Sequence, residues 1–181
     1  MTETRHTVTI EAPISAVYQQ WLDVESFPEI VPTVQEATVT ADFYSHWTLS
    51  IGRITRAFDA EITEQLPEEK VAWRSLTGDV TFTGTATFKE LGPDQTNVTV
   101  TLTWTPTSAA ERAAIVLRAD RRALRDALNA FKTFLETNGG PTGHSYITLP
   151  ALDTDSATPT APKPDAPAAP PTLRRARHVR D

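Results

Sequence analysis

The sequence predicts an α+β fold in which a bent antiparallel sheet of about six to seven strands wraps around a long C-terminal helix. Between residues 34 and 105, apolar and polar side chains alternate in segment after segment, as in strands with one buried face. From about Ala109 to Asn138, apolar residues recur every three or four positions, as on one face of a helix. This helix is the only large amphipathic element available to cover the sheet.

The N-terminal part is predicted to form one strand and two short helices. "TVTIEAP" begins as a strand that places Val8 and Ile10 on one face. Pro13 suits the first turn of a helix, because its missing N–H has no helical partner there, and "ISAVYQQWL" follows at helical spacing. "ESFPEIVPTV", with Pro28 and Pro32, predicts a second and very short helix.

Six further segments are predicted strands, and the short polar turns between them indicate an antiparallel meander. The clearest is "NVTVTLTWT", from Asn97 to Thr105, in which apolar residues alternate with threonines. Its apolar face is predicted to lie beneath the long helix, and its threonine face to form the outer surface of the sheet. In chain order the segments are "VQEATVTA", "SHWTLSI", "ITRAFDAEITEQL", "KVAWRSL", "VTFTGTATFKE" and "NVTVTLTWT".

The long helix carries start and stop signals. Ser108 and Glu111 form a capping box, and Gly139, Gly140 and Pro141 stop the helix. Thirty residues at about 1.5 Å each give roughly 45 Å, enough to cross a strongly bent sheet. A straight helix over a curved sheet leaves a space unless bulky side chains fill it, so this arrangement predicts a cavity. The apolar face of the helix comprises Leu117, Leu124, Leu128, Phe131 and Leu135.

Composition divides the chain into a domain, residues 1–140, and a tail, residues 141–181. Eight of the 14 prolines lie in the tail, which has little apolar bulk and is predicted to be disordered. The tail ends in the basic cluster "LRRARHVRD". Weak contact with an acidic protein or an anionic surface is one interpretation of this cluster, and a solvated tail without a partner is the favoured one.

Charge and composition exclude several function classes. A net charge of −6 argues against nucleic-acid binding, which requires a basic face. The absence of cysteine excludes disulfides and thiolate metal sites, and no two of the four histidines have metal-ligand spacing. No metal and no cofactor are therefore expected. With no signal peptide and no membrane-spanning segment in the sequence, the protein is predicted to be cytoplasmic, without membrane insertion.

Arg74, in "VAWRSL", is the main charged candidate for a site. Trp73 and Arg74 are neighbours in a strand and point to opposite faces, so only one of them faces the interior. An inward Arg74 could polarise a carbonyl group or hold a carboxylate. An outward Arg74, paired across strands with Asp59, Glu61 or Glu64, is the favoured interpretation.

Three other ionisable residues are predicted to lie on the outer face. His46 is out of phase with the apolar Trp47, which places its imidazole outside. Asp59 and Glu61 share a face and could in principle act as an acid and a base, but an outward row of solvated carboxylates is favoured.

Aromatic side chains recur on the predicted strands and helices. Core packing is the default for each of them, but as a set on facing elements they are typical of a small-molecule pocket with few polar anchors. Tyr18, Ser75 and the indole N–H groups are the predicted anchors. The predicted ligand contacts are Tyr18, Trp21, Trp47, Phe58, Trp73, Phe82, Phe88, Trp104, Leu124, Leu128 and Phe131.

Four segments in a distinctive order resemble one family. They are "APISAVYQQW", "FPEIVPTV", "AEITEQLPEEKVAWRS" and "GTATFKEL", and they are similar to START-like (Bet v 1-type, SRPBCC) domains, which have the helix-grip fold. The similarity is greatest to the polyketide cyclase/dehydrase branch, which includes coenzyme Q-binding proteins, and it spans roughly Thr7 to Thr137. It implies a hydrophobic cavity between the sheet and the C-terminal helix.

The resemblance implies binding of lipids, quinones, hormones or polyketides, with cyclisation or dehydration in some members. Aromatic polyketide cyclases of the group place a tyrosine and an arginine in the pocket. The position of that tyrosine corresponds here to Val34, so half of the catalytic pair is missing. Arg74 and Tyr18 remain as weak catalytic candidates.

Three functions are compatible with the sequence. The first is a binding or carrier protein for a polyketide, quinone or isoprenoid lipid, and it is favoured. The second is an aromatic polyketide cyclase or dehydratase acting in the same cavity. The third is an interaction protein whose tail recruits a partner.

Overall fold

The fold is a seven-stranded antiparallel sheet packed against a long helix, with two short helices between the first two strands. The computed structural model describes residues 2–51, 53–77, 81–104 and 110–139. Side chains are described for these residues except Thr2, Ile51, Ile54, Trp104 and residues 110–120. The elements are β1 (Thr2–Ile10), α1 (Ile14–Leu22), α2 (Phe27–Ile30), β2 (Val34–Ala41), β3 (Tyr44–Ile51), β4 (Ile54–Leu66), β5 (Lys70–Ser75), β6 (Phe82–Gly92), β7 (Gln95–Trp104) and α3 (Ala110–Asn138).

The order of the strands in the sheet is β1-β7-β6-β5-β4-β3-β2, and all neighbours are antiparallel. β2 to β7 form the predicted meander, and β1 pairs with the last strand, where Val8 lies opposite Val98. Val98 also lies opposite Phe88 of β6. The three side chains form an apolar row across three strands, because residues paired in register point to the same face.

The predicted α+β helix-grip architecture is confirmed. β1 is longer than predicted and begins at Thr2, and a single 3₁₀ turn (Val24–Ser26) precedes α2. Gly139 adopts a positive φ of 72°, and its N–H donates to the carbonyl of Leu135, which is the predicted glycine stop of the long helix. Ser108 and the side chain of Glu111, which form the predicted capping box, lie outside the described part of the structure, as does the predicted tail.

The core lies on the inner face of the sheet and includes residues of α1, α2 and the C-terminal half of α3. Its largest fully buried apolar residues are Phe131, Ile10, Leu135, Val17 and Val98. The threonine face of β7 is outside, as predicted, and the hydroxyls of Thr7 and Thr99 are hydrogen-bonded there at 2.8 Å. Val98 and Val100, on the inner face of β7, are buried in the same core cluster as Leu128 and Phe131 of α3, as the alternation predicts.

Polar contacts anchor the C-terminal end of α3 to β1 and the segment that follows it. The backbone N–H of Glu11 donates to Oε1 of Glu136 at 2.8 Å, and Nζ of Lys132 donates to the carbonyl oxygen of Thr9 at 2.6 Å. Lys132 and Glu136 also form an ion pair at 3.2 Å. The Glu11 N–H, followed by Lys132, lowers the pKa of the Glu136 carboxyl below its ordinary value.

We expect Glu136→Gln to lower the free energy of unfolding at neutral pH by about 1 kcal/mol, since it removes a charge-assisted hydrogen bond. A lowered pKa stabilises the fold above the ordinary value of 4.5, and this contribution is lost as the pH falls through the folded-state pKa. The difference between the variant and the wild type should therefore disappear in acid. Urea unfolding at neutral pH and in acid measures it.

Glu90→Gln is the matched control, because the Glu90 side chain is exposed and makes no hydrogen bond within the described part of the chain. It should change stability by less than about 0.5 kcal/mol at either pH. If Glu136→Gln lowers the free energy of unfolding by the same amount in acid as at neutral pH, the stabilisation does not come from the ionised carboxylate.

Candidate ligand-binding cavity

A cavity of about 360 Å³ lies between the inner face of the sheet and α3. The strands β3 to β7 form its floor, and Ala123, Leu124, Ala127 and Leu128 of α3 form its roof. Residues of α1 and of the segment that carries α2 close one end. The lining from these residues comprises Trp21, Leu22, Val24, Phe27, Val31, Thr33 and Val34.

The floor follows from the register of β3 and β4. Trp47 lies opposite Phe58, and Ser45 lies opposite Ala60, so these side chains share the inner face. Trp47, Phe58 and Ile62 keep partial solvent exposure although they point inward, unlike the core residues near β1. Their exposed surface lies in the cavity.

Aromatic rings separate the cavity from the core. The ring of Trp21 meets Phe131 at 5.4 Å, Phe27 at 5.7 Å and Trp73 at 6.1 Å between centroids. Phe27 in turn stacks on Phe131 at 6.0 Å with an interplanar angle of 22°. Such contacts between large, rigid side chains hold the wall in place at little cost in conformational entropy.

Gly84 allows Trp73 to lie flat on the sheet. The two residues are direct cross-strand partners of β5 and β6. A Cβ atom at position 84 would overlap Cε2, Cζ2 and Nε1 of the Trp73 indole, so only glycine admits the ring there. The close approach keeps Trp73 along the cavity floor and out of the cavity space.

The polar lining is sparse. Ser45 is buried and accepts a hydrogen bond at 2.8 Å from Nε1 of Trp47, and Thr33 and Thr55 contribute further lining. Arg56 lines the cavity from β4, directly opposite Leu49 of β3. Pockets of this composition bind apolar molecules and orient them with a few polar groups.

Most of the predicted ligand contacts line the cavity. Tyr18 and Phe88 lie outside the lining, in the core, with ring centroids 5.4 Å apart, and burial raises the pKa of the Tyr18 phenol. The side chain of Trp104 lies outside the described residues. The predicted residues that line the cavity are Trp21, Trp47, Phe58, Trp73, Phe82, Leu124, Leu128 and Phe131.

Arg74 points away from the cavity. Its Nη2 pairs with Oε2 of Glu61 at 2.6 Å, and 54% of its side chain is exposed. Glu61 also accepts a hydrogen bond at 3.2 Å from the hydroxyl of Tyr44. The favoured interpretation of Arg74, as an outer cross-strand partner, is therefore the arrangement in the structure.

His46 and Asp59 form a second pair on the outer surface. Nδ1 of His46 lies 2.7 Å from Oδ1 of Asp59, and the hydroxyl of Thr77 donates to Oδ2 at 2.9 Å. The contact with His46, followed by that with Thr77, lowers the pKa of Asp59 below its ordinary value. Asp59 and Glu61 thus have basic partners on the outer face. Glu61 also contributes to the cavity lining, but its carboxylate is paired with Arg74.

The sequence analysis did not single out Arg56 as a site residue. The alternation that places Phe58, Ala60 and Ile62 on the inner face extends two residues back to Arg56. This was the available signal, but a basic residue near a strand end is usually solvated, and only the pairing with Leu49 shows that it lies inside. Phe27 and Val34, from the segment after α1, also line the cavity.

Residues 10–132 match the family described as polyketide cyclase / dehydrase and lipid transport. The chain belongs to this family. An uncharacterised 17.2 kDa protein of Streptomyces lincolnensis, from the melC2-rnhH intergenic region, is 33% identical over 143 residues, which are 79% of this chain and 95% of that protein. The predicted membership of the START-like superfamily, in its polyketide cyclase/dehydrase branch, is confirmed.

Two solved structures share the fold of this polyketide cyclase/dehydrase family member. The Zhui aromatase/cyclase of Streptomyces sp. R1128 is 18% identical with a TM-score of 0.68, over 80% of this chain and 99% of that one. A START superfamily protein of Mycobacterium smegmatis is 16% identical with a TM-score of 0.63, over 74% of this chain and 98% of that one.

Within the residues that the structure describes, no three or more His, Asp or Glu side chains lie together in a way that could hold a metal ion. In the same part of the chain, no helix has both the length and the apolar character needed to cross a membrane.

We expect Gly84→Ala to destabilise this polyketide cyclase/dehydrase family member by about 1–3 kcal/mol, because the added methyl group must displace the Trp73 ring. Chemical unfolding measures the loss, and tryptophan fluorescence of the folded variant should shift as the indole moves. Gly92→Ala is the control: a Cβ there meets nothing within 4 Å, so stability should change by less than about 0.5 kcal/mol. Equal losses in the two variants would contradict the close contact.

Proposed function

We propose that this protein binds or carries a hydrophobic or aromatic small molecule, such as a polyketide, quinone or isoprenoid lipid, in the cavity beneath α3. The observation that carries the proposal is the cavity of about 360 Å³ with its aromatic and aliphatic lining. Small-molecule sites occupy about 300–1,000 Å³, so a compact ligand of a few fused rings or a short isoprenoid chain suits this space.

Burial of apolar ligand surface supplies the affinity in such a site. Each Å² of apolar surface removed from water contributes about 25 cal/mol, and this contribution does not depend on direction. Specificity then comes from the shape of the aromatic wall and from the few polar groups of the lining. Trp21, Trp47 and Trp73 line the cavity and provide an intrinsic fluorescence signal for occupancy.

The arrangement favours binding over acid–base catalysis. A general acid and a general base must both reach the reacting atoms. In the described lining, Arg56 is the one ionisable side chain that lacks an outer partner, while the Glu61 carboxylate is bound by Arg74 on the outer face. Val34, at the position of the cyclase tyrosine, lines the cavity with an aliphatic group.

Cyclase or dehydratase activity on an aromatic polyketide is the second candidate. The fold shared with the Zhui aromatase/cyclase supports it. An arginine could stabilise the negative charge of a developing enolate in such a reaction, with the α-proton passing to a base from the solvent. Incubation with a linear polyketide thioester and mass spectrometry of the products tests this activity directly.

Ala127→Phe is the variant that tests ligand binding, because Ala127 lines the cavity and a benzyl group there would occupy much of its space. The probe is N-phenyl-1-naphthylamine, an uncharged dye whose fluorescence rises in apolar sites. The wild type should bind the dye, and the bound dye should quench the tryptophan emission of the protein. Ala127→Phe should weaken binding of the dye at least about tenfold. Native mass spectrometry of the purified wild type should show a co-purified small molecule.

Asn129→Phe is the matched control on the same helix, since the Asn129 side chain is exposed. It should bind the dye as the wild type does. Binding that is equal in the wild type and in Ala127→Phe would place the dye elsewhere and would overturn the proposal. Circular dichroism and unfolding curves confirm that both variants are folded.

A further inference from the structure

Arg56 is a cation on an apolar floor. It belongs to the inner face of β4 together with Phe58, Ala60 and Ile62, and it is half-buried. Its cross-strand partner is Leu49, which also lines the cavity. The other inward side chains of β3 and β4 in the described lining are uncharged, so Arg56 alone gives this floor an electrostatic character.

Within the described part of the chain, no carboxylate lies within 4 Å of the Arg56 guanidinium. The acids of β4 itself are paired on the outer face. Glu61 pairs with Arg74, Asp59 with His46, and Glu64 with Lys70 at 2.6 Å. The N–H groups of the Arg56 guanidinium can therefore donate hydrogen bonds to a bound ligand.

A guanidinium next to apolar walls has a defined chemical preference. It offers parallel N–H donors that match the two oxygens of a carboxylate. Partial removal from water strengthens the attraction between opposite charges, and the same environment penalises a cation that is left without a partner. One cation balances one negative charge, so a singly charged group fits better than a phosphate monoester.

We propose that the ligand is an amphipathic acid whose apolar body fills the cavity and whose carboxylate pairs with Arg56. This inference rests on the proposed ligand-binding function and specifies its ligand class. Aromatic acids and fatty acids share this chemistry. The apolar body contacts the aromatic wall at Trp21 and Trp47, while the carboxylate lies at the Arg56 and Leu49 positions.

Displacement of N-phenyl-1-naphthylamine at neutral pH tests the proposal with two matched pairs of competitors. One pair is 2-naphthoate and its methyl ester, and the other is decanoate and its methyl ester. Within each pair the apolar body is the same and only the charge changes. In the wild type, the acid should compete more strongly than its ester by about tenfold, the effect of one charge-assisted pair.

Arg56→Gln should abolish the advantage of each acid over its own ester, measured as the ratio of the two competition constants within that variant. Arg56→Lys keeps the charge without the paired donors and should restore part of the advantage. Arg74→Gln is the matched control, since it removes the same charge from the outer face and should behave as the wild type. A greater advantage for one acid over the other distinguishes an aromatic from an aliphatic ligand.

The two levels of the proposal fail in different ways. If the acids compete no better than their esters in the wild type, or still compete better in Arg56→Gln, the role of Arg56 is overturned. Binding of the dye by the wild type would still support the ligand-binding cavity. Failure of the wild type to bind the dye or any of the four competitors overturns both the cavity function and the inference built on it.

Discussion

The attachment of α3 to the sheet at one end is the constraint on which the rest of the structure depends. Glu136 and Lys132 bind the backbone at Glu11 and Thr9, and Phe131 and Leu135 are buried beneath the same half of the helix. The preceding turns of the helix, at Ala123 and Leu124, line the cavity. Core and cavity are consequences of a single packing geometry.

The strands could be predicted from sequence because one face of the sheet is buried and the other is solvated. Alternation therefore located Phe58 and Val98 correctly, and the glycine stop located the end of α3 at Asn138. Arg56 could not be assigned in this way, because residue type argued for solvent and only the pairing with Leu49 places it inside. The role of Gly84 likewise depends on which residue lies opposite, and strand register is not visible in composition.

Three ion pairs lie on the outer surface of β3 to β5. Asp59, Glu61 and Glu64 would place three negative charges on the single strand β4, and each has a basic partner on β3 or β5. Pairs of this kind add little stability where they are exposed to solvent. Their effect here is electrostatic, because they keep carboxylates occupied on the outer face and leave the inner face with the positive charge of Arg56.

This separation bears on the distinction between a carrier and a catalyst. Proton transfer needs a group that can change its charge near neutral pH, and arginine does not. A permanent cation beside an apolar wall instead discriminates between molecules that have the same body and a different charge. In the proposed role, the aromatic wall around Trp21 supplies affinity and selection by shape, and Arg56 adds selection by charge. The composition of the lining therefore supports the proposed role of holding an acidic ligand more than the alternative of transforming it.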